Sequence, residues 1–489
     1  MHFSIGASRD RTRSGGRPPP FLHTRRRFIG TTLAAASAAL TRIRAGQVPD
    51  DNLAQPLAFV TSEHARYARI REIYNGAITT RPRLIACCSS EAGVQTAMER
   101  AVTEKLSVAV KSGGHSFEGF CLNDDGLVID ISRCRNLRLD PASGVLTAGS
   151  GCRLADVNQF LLGKGRFLPA GSCEAVGLSG LTLGGGYGMF ARKWGLTCDH
   201  LLSVRMVDGN GRVRDSRDEP DLLWACQGGG NGNFGVVTEM TFKTRPAPAA
   251  FSAWKFRAYK LDEKRATALL DTWFDATREL PHDCFSAWVM NGTQVTVLVT
   301  TIGSRDAKKL ISCKLRLAAL TSRNTSGGPT TLSKALPWYY ANAGPILFKN
   351  CSAGYYRGMD DLRAALPAVF EQVFRTPGVI FQVNTLGGAI AEQSAGVYPH
   401  RAFPYLGEQQ AYWEHPAQAE RCVAAAAKIR ESIAEAGISR HYANYPDVAF
   451  KNWSTSYYGE ENYRRLQEVK RVYDPENRIR HPQSVRLES

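Results

Sequence analysis

The spacing of the glycine clusters restricts the fold of this chain more than any other feature. Three of them, Ser112-Gly113-Gly114-His115, Gly184-Gly185-Gly186-Tyr187-Gly188 and Gly228-Gly229-Gly230-Asn231-Gly232-Asn233-Phe234-Gly235, fall within about 125 residues. Glycine lets the backbone pass close to another group and take positive φ, so that successive N–H groups can converge on a phosphate. One such cluster reads as a turn, but three in one stretch are hard to explain by turns alone. Gly230, Gly232 and Gly235 satisfy the spacing G-x-G-x-x-G. That spacing marks a dinucleotide-binding βαβ unit only when a strand precedes it and a helix follows. Here the pattern predicts a helix before it (219–226) and a strand after it (236–243), which excludes a Rossmann site.

From residue 81 the pattern alternates. Strands are predicted at 84–88, 107–111, 127–131 and 145–148, helices at 91–105 and 154–164, and a hairpin at 203–215 around Asp208-Gly209-Asn210-Gly211. The Pro- and Ala-rich stretch 245–250 reads as a boundary. Beyond it, strands at 251–256 and 293–301 alternate with amphipathic helices at 263–280, 306–320 and 418–436, which points to an α+β region with an antiparallel sheet. A helix at 461–473 ends at the turn Asp474-Pro475-Glu476-Asn477. For 489 residues, 43% hydrophobic and 22% charged, two or three globular domains are expected.

The first 45 residues read as an export leader. Thr24-Arg25-Arg26-Arg27-Phe28-Ile29-Gly30 runs into an apolar, small-residue stretch ending near Ala45, the layout of a twin-arginine signal. The stretch is too short for a stable membrane anchor. The leader holds nine Arg and one Asp, half of the formal excess of +16, so half of the charge that would otherwise suggest a nucleic-acid partner belongs to an address tag. The twelve cysteines form no C-x-x-C pair, and neither H-E-x-x-H nor G-x-S-x-G occurs. No metal site and no serine-hydrolase elbow are expected.

Read together, the motifs resemble a known family. Val110-Lys111-Ser112-Gly113-Gly114-His115-Ser116-Phe117-Glu118-Gly119 resembles the pyrophosphate loop of berberine-bridge-enzyme-like FAD-linked oxidases, within the vanillyl-alcohol-oxidase superfamily. The segment from Leu168 through Cys173, Val176 and Gly177 to Gly188 resembles the second flavin loop, and Gly229 through Gly235 and Val237 to Thr238 the third. Tyr442-Ala443-Asn444-Tyr445, with Tyr457 to Asn462 and 474–484, resembles the C-terminal segment. The resemblance implies a PCMH-type FAD-binding domain of two subdomains at 50–247, a substrate domain with an antiparallel sheet at 248–440, and a segment at 441–489 returning to the FAD domain.

Carried over residue by residue, the resemblance implies flavin attached twice, through His115 to the 8α-methyl and through Cys173 to C6. An imidazole and a thiolate are the nucleophiles able to attack an oxidised flavin. It implies cofactor contacts from Lys111, Ser112, Gly113, Gly114, Ser116, Gly177, Gly184, Gly185, Gly186, Gly188, Gly235, Val237 and Asn444. It also implies an active-site tyrosine at Tyr442, a substrate-facing Glu408 and a wall residue at Tyr187. Val176 falls where relatives with valine admit oxygen, so an oxidase releasing H2O2 from a sugar or secondary-metabolite alcohol is expected. A dehydrogenase using another acceptor is the alternative, and a basic binding protein without enzymatic activity is the alternative of a different class. Lys111 stands where arginine is usual, Leu181 where many relatives have histidine, and Phe117 where some plant members have tyrosine.

Overall fold

The computed structural model describes residues 55–339 and 344–487, so the expected leader lies outside the described residues. The first four strands are short and apolar: β1 (Leu57–Val60), β2 (Leu84–Cys88), β3 (Val108–Lys111) and β4 (Leu127–Asp130). They form a sheet of order β1-β2-β4-β3, with β2, β4 and β3 parallel and β1 antiparallel at the edge. Helix Glu91–Thr103 covers it with Val94, Ala97, Met98 and Ala101, a stripe at helical spacing. Ser90 starts that helix, its side-chain oxygen accepting the Gly93 N–H.

Next come β5 (Leu137–Leu139), β6 (Val145–Gly149), β7 (Arg166–Phe167), β8 (Leu201–Asp208), β9 (Val213–Asp215), β10 (Gly235–Lys243) and β11 (Arg245–Pro246). Five of them make an antiparallel sheet of order β5-β6-β10-β8-β9. The stretch read as a boundary begins instead as strand, because Arg245 and Pro246 pair with Phe167 and Arg166. Helix Pro220–Cys226 precedes the third glycine cluster and β10 follows it, the reverse of a Rossmann unit.

The remaining strands are β12 (Phe251–Ala258), β13 (Cys284–Asn291), β14 (Gln294–Thr301), β15 (Arg323–Thr330), β16 (Phe348–Tyr356), β17 (Val379–Thr385) and β18 (Tyr405–Tyr412). They form one antiparallel sheet of order β15-β12-β14-β13-β17-β18-β16. Helices Glu263–Arg278, Leu366–Arg375 and Ala419–Glu435 bury one face around Trp273, Trp288, Phe370 and Phe381. The other face joins a core that contains Tyr187, Tyr442 and Tyr445. Strand alternation divides β18 between them, Tyr405 and Ala411 toward the helices and Leu406 toward the tyrosines, which puts Glu408 and Gln410 on the tyrosine side. The protein is therefore α+β, with the glycine-loop half and the seven-stranded sheet meeting over an aromatic core.

All twelve cysteines lie among the described residues and are buried, and no disulfide joins them. No helix among the described residues is long and apolar enough to cross a membrane. No cluster of three or more His, Cys, Asp or Glu among them could hold a metal ion.

Candidate active site

A cleft with about 1540 Å³ of empty space, its open mouth included, runs between the glycine loops and the C-terminal segment. It forms there because the loops carry no side chains to fill it. Gly113 and Gly177 face each other so closely that a Cβ on Gly113 would sit 2.4 Å from the Gly177 nitrogen. Gly230 and Gly232, at φ +91 and +66, turn the third loop along the cleft. Ser112, Gly113, Gly114, His115, Ser116, Cys173, Val176, Gly177, Tyr187, Gly235, Val237, Tyr442 and Asn444 all line it, so thirteen of the expected residues converge on one space.

Five expected cofactor residues do not line it. Lys111 turns away: its ammonium donates to Asp130 (2.9 Å) and to the Ile70 carbonyl (2.6 Å), a buried ion pair that occupies its charge. Gly184, Gly185, Gly186 and Gly188 sit behind the lining, where they allow close packing. A Cβ would lie 2.1 Å from the Asn444 side chain at Gly184, 3.0 Å from Tyr398 at Gly185, 2.6 Å from Thr197 at Gly186 and 2.0 Å from the Ala170 carbonyl at Gly188. Glu408 is also off the lining and has no exposure, so it is a core residue and not a solvated one.

Cys173 Sγ lies 3.7 Å from His115 Nε2, which brings together two nucleophiles 58 residues apart in sequence. Across from them stands the C-terminal segment. The Tyr442 hydroxyl oxygen accepts the Gly186 N–H (2.9 Å) and the Asn444 amide (3.1 Å). Asn444 also donates to the Leu181 carbonyl (3.0 Å) and accepts from Asn231 (3.0 Å), tying all three cleft segments together. Burial pushes the Tyr442 phenol up to about 12, against the two donors, which favour its anion. Tyr187 and Tyr445 share a 2.5 Å hydroxyl contact, and Asn384 donates to Tyr187 (3.3 Å). Burial first, then the nearby Glu408, raises both of these phenols. With its amide nitrogen turned to the carboxyl group, Asn350 donates to Glu408 at 3.2 Å.

Against proteins of known family, the FAD binding domain family matches residues 82–217, and the berberine and berberine-like family matches 441–486. The FAD-linked oxidoreductase YgaK of Bacillus subtilis is 30% identical over 441 residues, which is 87% of this chain and 96% of that protein. The chain belongs to the berberine-bridge-enzyme-like FAD-linked oxidases. Within that family, the chitooligosaccharide oxidase of Gibberella zeae is 29% identical over 84% of this chain and 89% of its own length. A solved chitooligosaccharide oxidase superposes with a TM-score of 0.79 at 26% identity, over 90% of this chain and 99% of that one. BBE-like 1 of Physcomitrella patens shares the fold, with a TM-score of 0.82 at 23% identity over 89% of this chain and 98% of that one.

The residues present fit the family's FAD. The Gly113–Gly177 approach leaves a side-chain-free cradle that a Cβ would close. Ser172 Oγ and Asn231 Oδ1 are buried at the cleft and meet no hydrogen-bond partner among the described residues, as groups waiting for a polar ligand would. Val110, Ile131, Leu154 and Val237 supply apolar lining for a ring system.

Three site features carried no local sequence signal. Tyr74 stacks on His115. Tyr355 and Tyr398 pair through their hydroxyls (2.6 Å) behind Tyr442. Lys349 of β16 donates both to Glu118, three residues after His115, and to Asp447 (3.1 Å), two residues after Tyr445. Each joins residues far apart in the chain, so no spacing rule could have found it.

Proposed function

We propose that this protein is an exported oxidase that removes hydride from the carbon of an alcohol, on a sugar or a secondary metabolite, and passes the electrons to O2. FAD, when bound, supplies the two-electron acceptor. Tyr442 Oη, as the phenolate that the Gly186 and Asn444 donors favour, would take the hydroxyl proton as the hydride leaves, so that the alcohol becomes a carbonyl and the electron pair and protons end on O2 as H2O2. The observation that carries this reading is the convergence of His115, Cys173 and Tyr442 on one cleft. His115 and Cys173 would hold the cofactor covalently. Tyr187, Tyr445 and Glu408 would form the polar wall behind the reacting carbon, and Val176 would leave O2 a path. The identity to a chitooligosaccharide oxidase supports an alcohol substrate.

The domains assigned to these tasks are 50–247 for FAD, 248–440 for substrate and 441–489 for the returning segment. Twelve buried cysteines without a disulfide suit a chain that folds in a reducing compartment before passage by a twin-arginine route.

The deciding experiment is acid precipitation of the purified holoenzyme. Yellow colour that stays with the polypeptide, and is lost only when His115→Ala and Cys173→Ala are combined, supports the double tether; colour released from the wild type refutes it. Reduction under nitrogen followed by air separates oxidase from dehydrogenase. Flavin still reduced after minutes would refute the oxidase. A peroxide screen across sugars and aromatic alcohols then finds the substrate.

A further inference from the structure

Tyr74 belongs to none of the flavin motifs, yet it is the ring packed face to face on His115. The two centroids are 3.7 Å apart with 19° between the planes. Phe117 meets the imidazole edge-on, at 6.1 Å, and Cys173 Sγ touches its Nε2 at 3.7 Å. Tyr74 is itself fixed from both sides. Its N–H donates to the Gly114 carbonyl (2.8 Å), on the loop that carries His115. Its carbonyl accepts the Ile346 N–H (3.0 Å), on the segment entering β16, and its ring edge rests on Phe348 at 5.6 Å. It is 6% exposed. Burial, then the proximity of Cys173 and Glu408, raises its phenol, so the hydroxyl keeps its proton beside the second tethering side chain.

A histidine after two glycines has little in its own backbone to hold its ring. Bond formation to a carbon of a bound ring system needs the nitrogen lone pair directed along one line, and orientation of that kind governs the rate. We infer that Tyr74 is a positioning residue for covalent flavin attachment, its aromatic face holding the His115 imidazole in the orientation from which a ring nitrogen bonds the 8α carbon. In that step a C–N bond forms, one C–H and the imidazole N–H are lost as protons, and the electron pair passes through the flavin to O2, which leaves as H2O2. The face of Tyr74 does this, and its hydroxyl is dispensable. The inference rests on the tethered-flavin reading above.

The test uses the full-length protein in a Cys173→Ala background, where only His115 can hold flavin. Total flavin in the native protein is compared with flavin remaining on the chain after acid precipitation and on a denaturing gel. C173A and Y74F/C173A should keep their flavin attached. Y74L/C173A should bind FAD but lose at least about tenfold of the attached fraction. Full attachment in Y74L/C173A overturns the inference, and so does loss of attachment in Y74F/C173A that still binds FAD. Should the leucine variant not fold, Y74H/C173A, which restores a planar face, must attach flavin, and its failure to do so while binding FAD overturns the inference equally. Flavin released from the wild type, by contrast, refutes the tethered reading itself.

Discussion

The two walls of the cleft are built on opposite principles. The wall from the first half of the chain is built on glycine loops, where bare backbone opens the space between the lining side chains. Gly113, Gly114, Gly177, Gly230, Gly232 and Gly235 all belong to it. Opposite stand Tyr442, Ala443, Asn444 and Tyr445 of the C-terminal segment, and behind them, off the lining, lies a polar face of the seven-stranded sheet. Asn350, Ser352, Gln382, Asn384, Glu408 and Gln410 are all at most 4% exposed, behind a screen of Tyr187, Tyr442 and Tyr445. A loop of N–H groups recognises a constant cofactor. Under the proposed function, the tyrosines and the polar side chains behind them would be the part that varies with substrate.

The largest effect should come from the screen. Tyr442→Phe removes the proposed proton acceptor and should slow turnover by about 10²–10⁴-fold. It also strands the buried Gly186 N–H, which should cost about 1–3 kcal/mol in urea unfolding. With the phenol near 12, the wild-type kcat/KM should rise between about pH 7 and 10, and a flat profile would exclude Tyr442 as the base. Second comes the seam between the walls. Lys349 joins Glu118 on the His115 loop to Asp447, whose other oxygen takes Arg430 at 2.9 Å. Lys349→Met leaves two buried carboxyl groups without their shared cation and should cost about 3–5 kcal/mol. Urea unfolding checks this, and a loss confined to one wall's spectroscopic probe would show that the walls are less coupled than the ion network implies.

The same contrast explains what could be seen beforehand. The loop wall is built of short contiguous segments, so Gly113 to Ser116 and Cys173 to Gly177 were legible as motifs, as was Tyr442 to Asn444 on the opposite side. Within those motifs a residue's type was visible but its direction was not. Lys111 faces Asp130, and Gly184 to Gly188 make room for Asn444, Tyr398, Thr197 and Ala170. The sheet wall was mostly illegible. Strands β16 to β18 mix polar and apolar residues, and in Glu408-Gln409-Gln410 that mixture resembles solvent-facing structure until a second layer buries it. β15 reads Arg-Asn-Thr-Ser-Gly-Gly-Pro-Thr and lies exposed at the sheet edge, its backbone paired to β12. Tyr74 reaches His115 through a tertiary backbone bond to Gly114, which leaves no trace in spacing.

A milder change sharpens the loop wall. Gly113→Ala puts a Cβ 2.4 Å from the Gly177 nitrogen, whereas at Gly180, also on the cleft, the nearest atom would be 3.8 Å away. Gly113→Ala should cost about 1–3 kcal/mol and lower the flavin content of purified protein, while Gly180→Ala should keep its flavin. Equal flavin in both would mean that the close approach of the two loops is not what shapes the cradle.

The smallest effect asks whether the two walls unfold together. Burial drives His200, His441 and His481 down to about 4 and His400 to about 3; His200, His400 and His441 are nearly wholly enclosed, and His481 is half-buried on the cleft lining. In the unfolded chain each titrates near its reference value of about 6.5. Between those limits the unfolded state binds protons that the folded state refuses. Stability is therefore undiminished above about pH 6.5 and falls as pH drops, each group adding a slope of up to about 1.4 kcal/mol per pH unit until its folded value is passed. His200 lies against Trp194, and His481 stacks on Phe120 at 4.4 Å beside the cleft, both in the loop half. His400 packs on Tyr355 of β16 at 4.5 Å, on the sheet side. In a background where Trp194, Trp224 and Trp453 are replaced by Phe, tryptophan fluorescence reports the sheet side, with Trp273 and Trp288 in its core, and visible flavin absorbance reports the loops. If the walls form one cooperative unit, His200→Gln and His400→Gln should each flatten the acid slope seen by both probes. If each flattens only the probe on its own side, the walls unfold separately, and the ion network through Lys349 is a contact between two folding units rather than part of one.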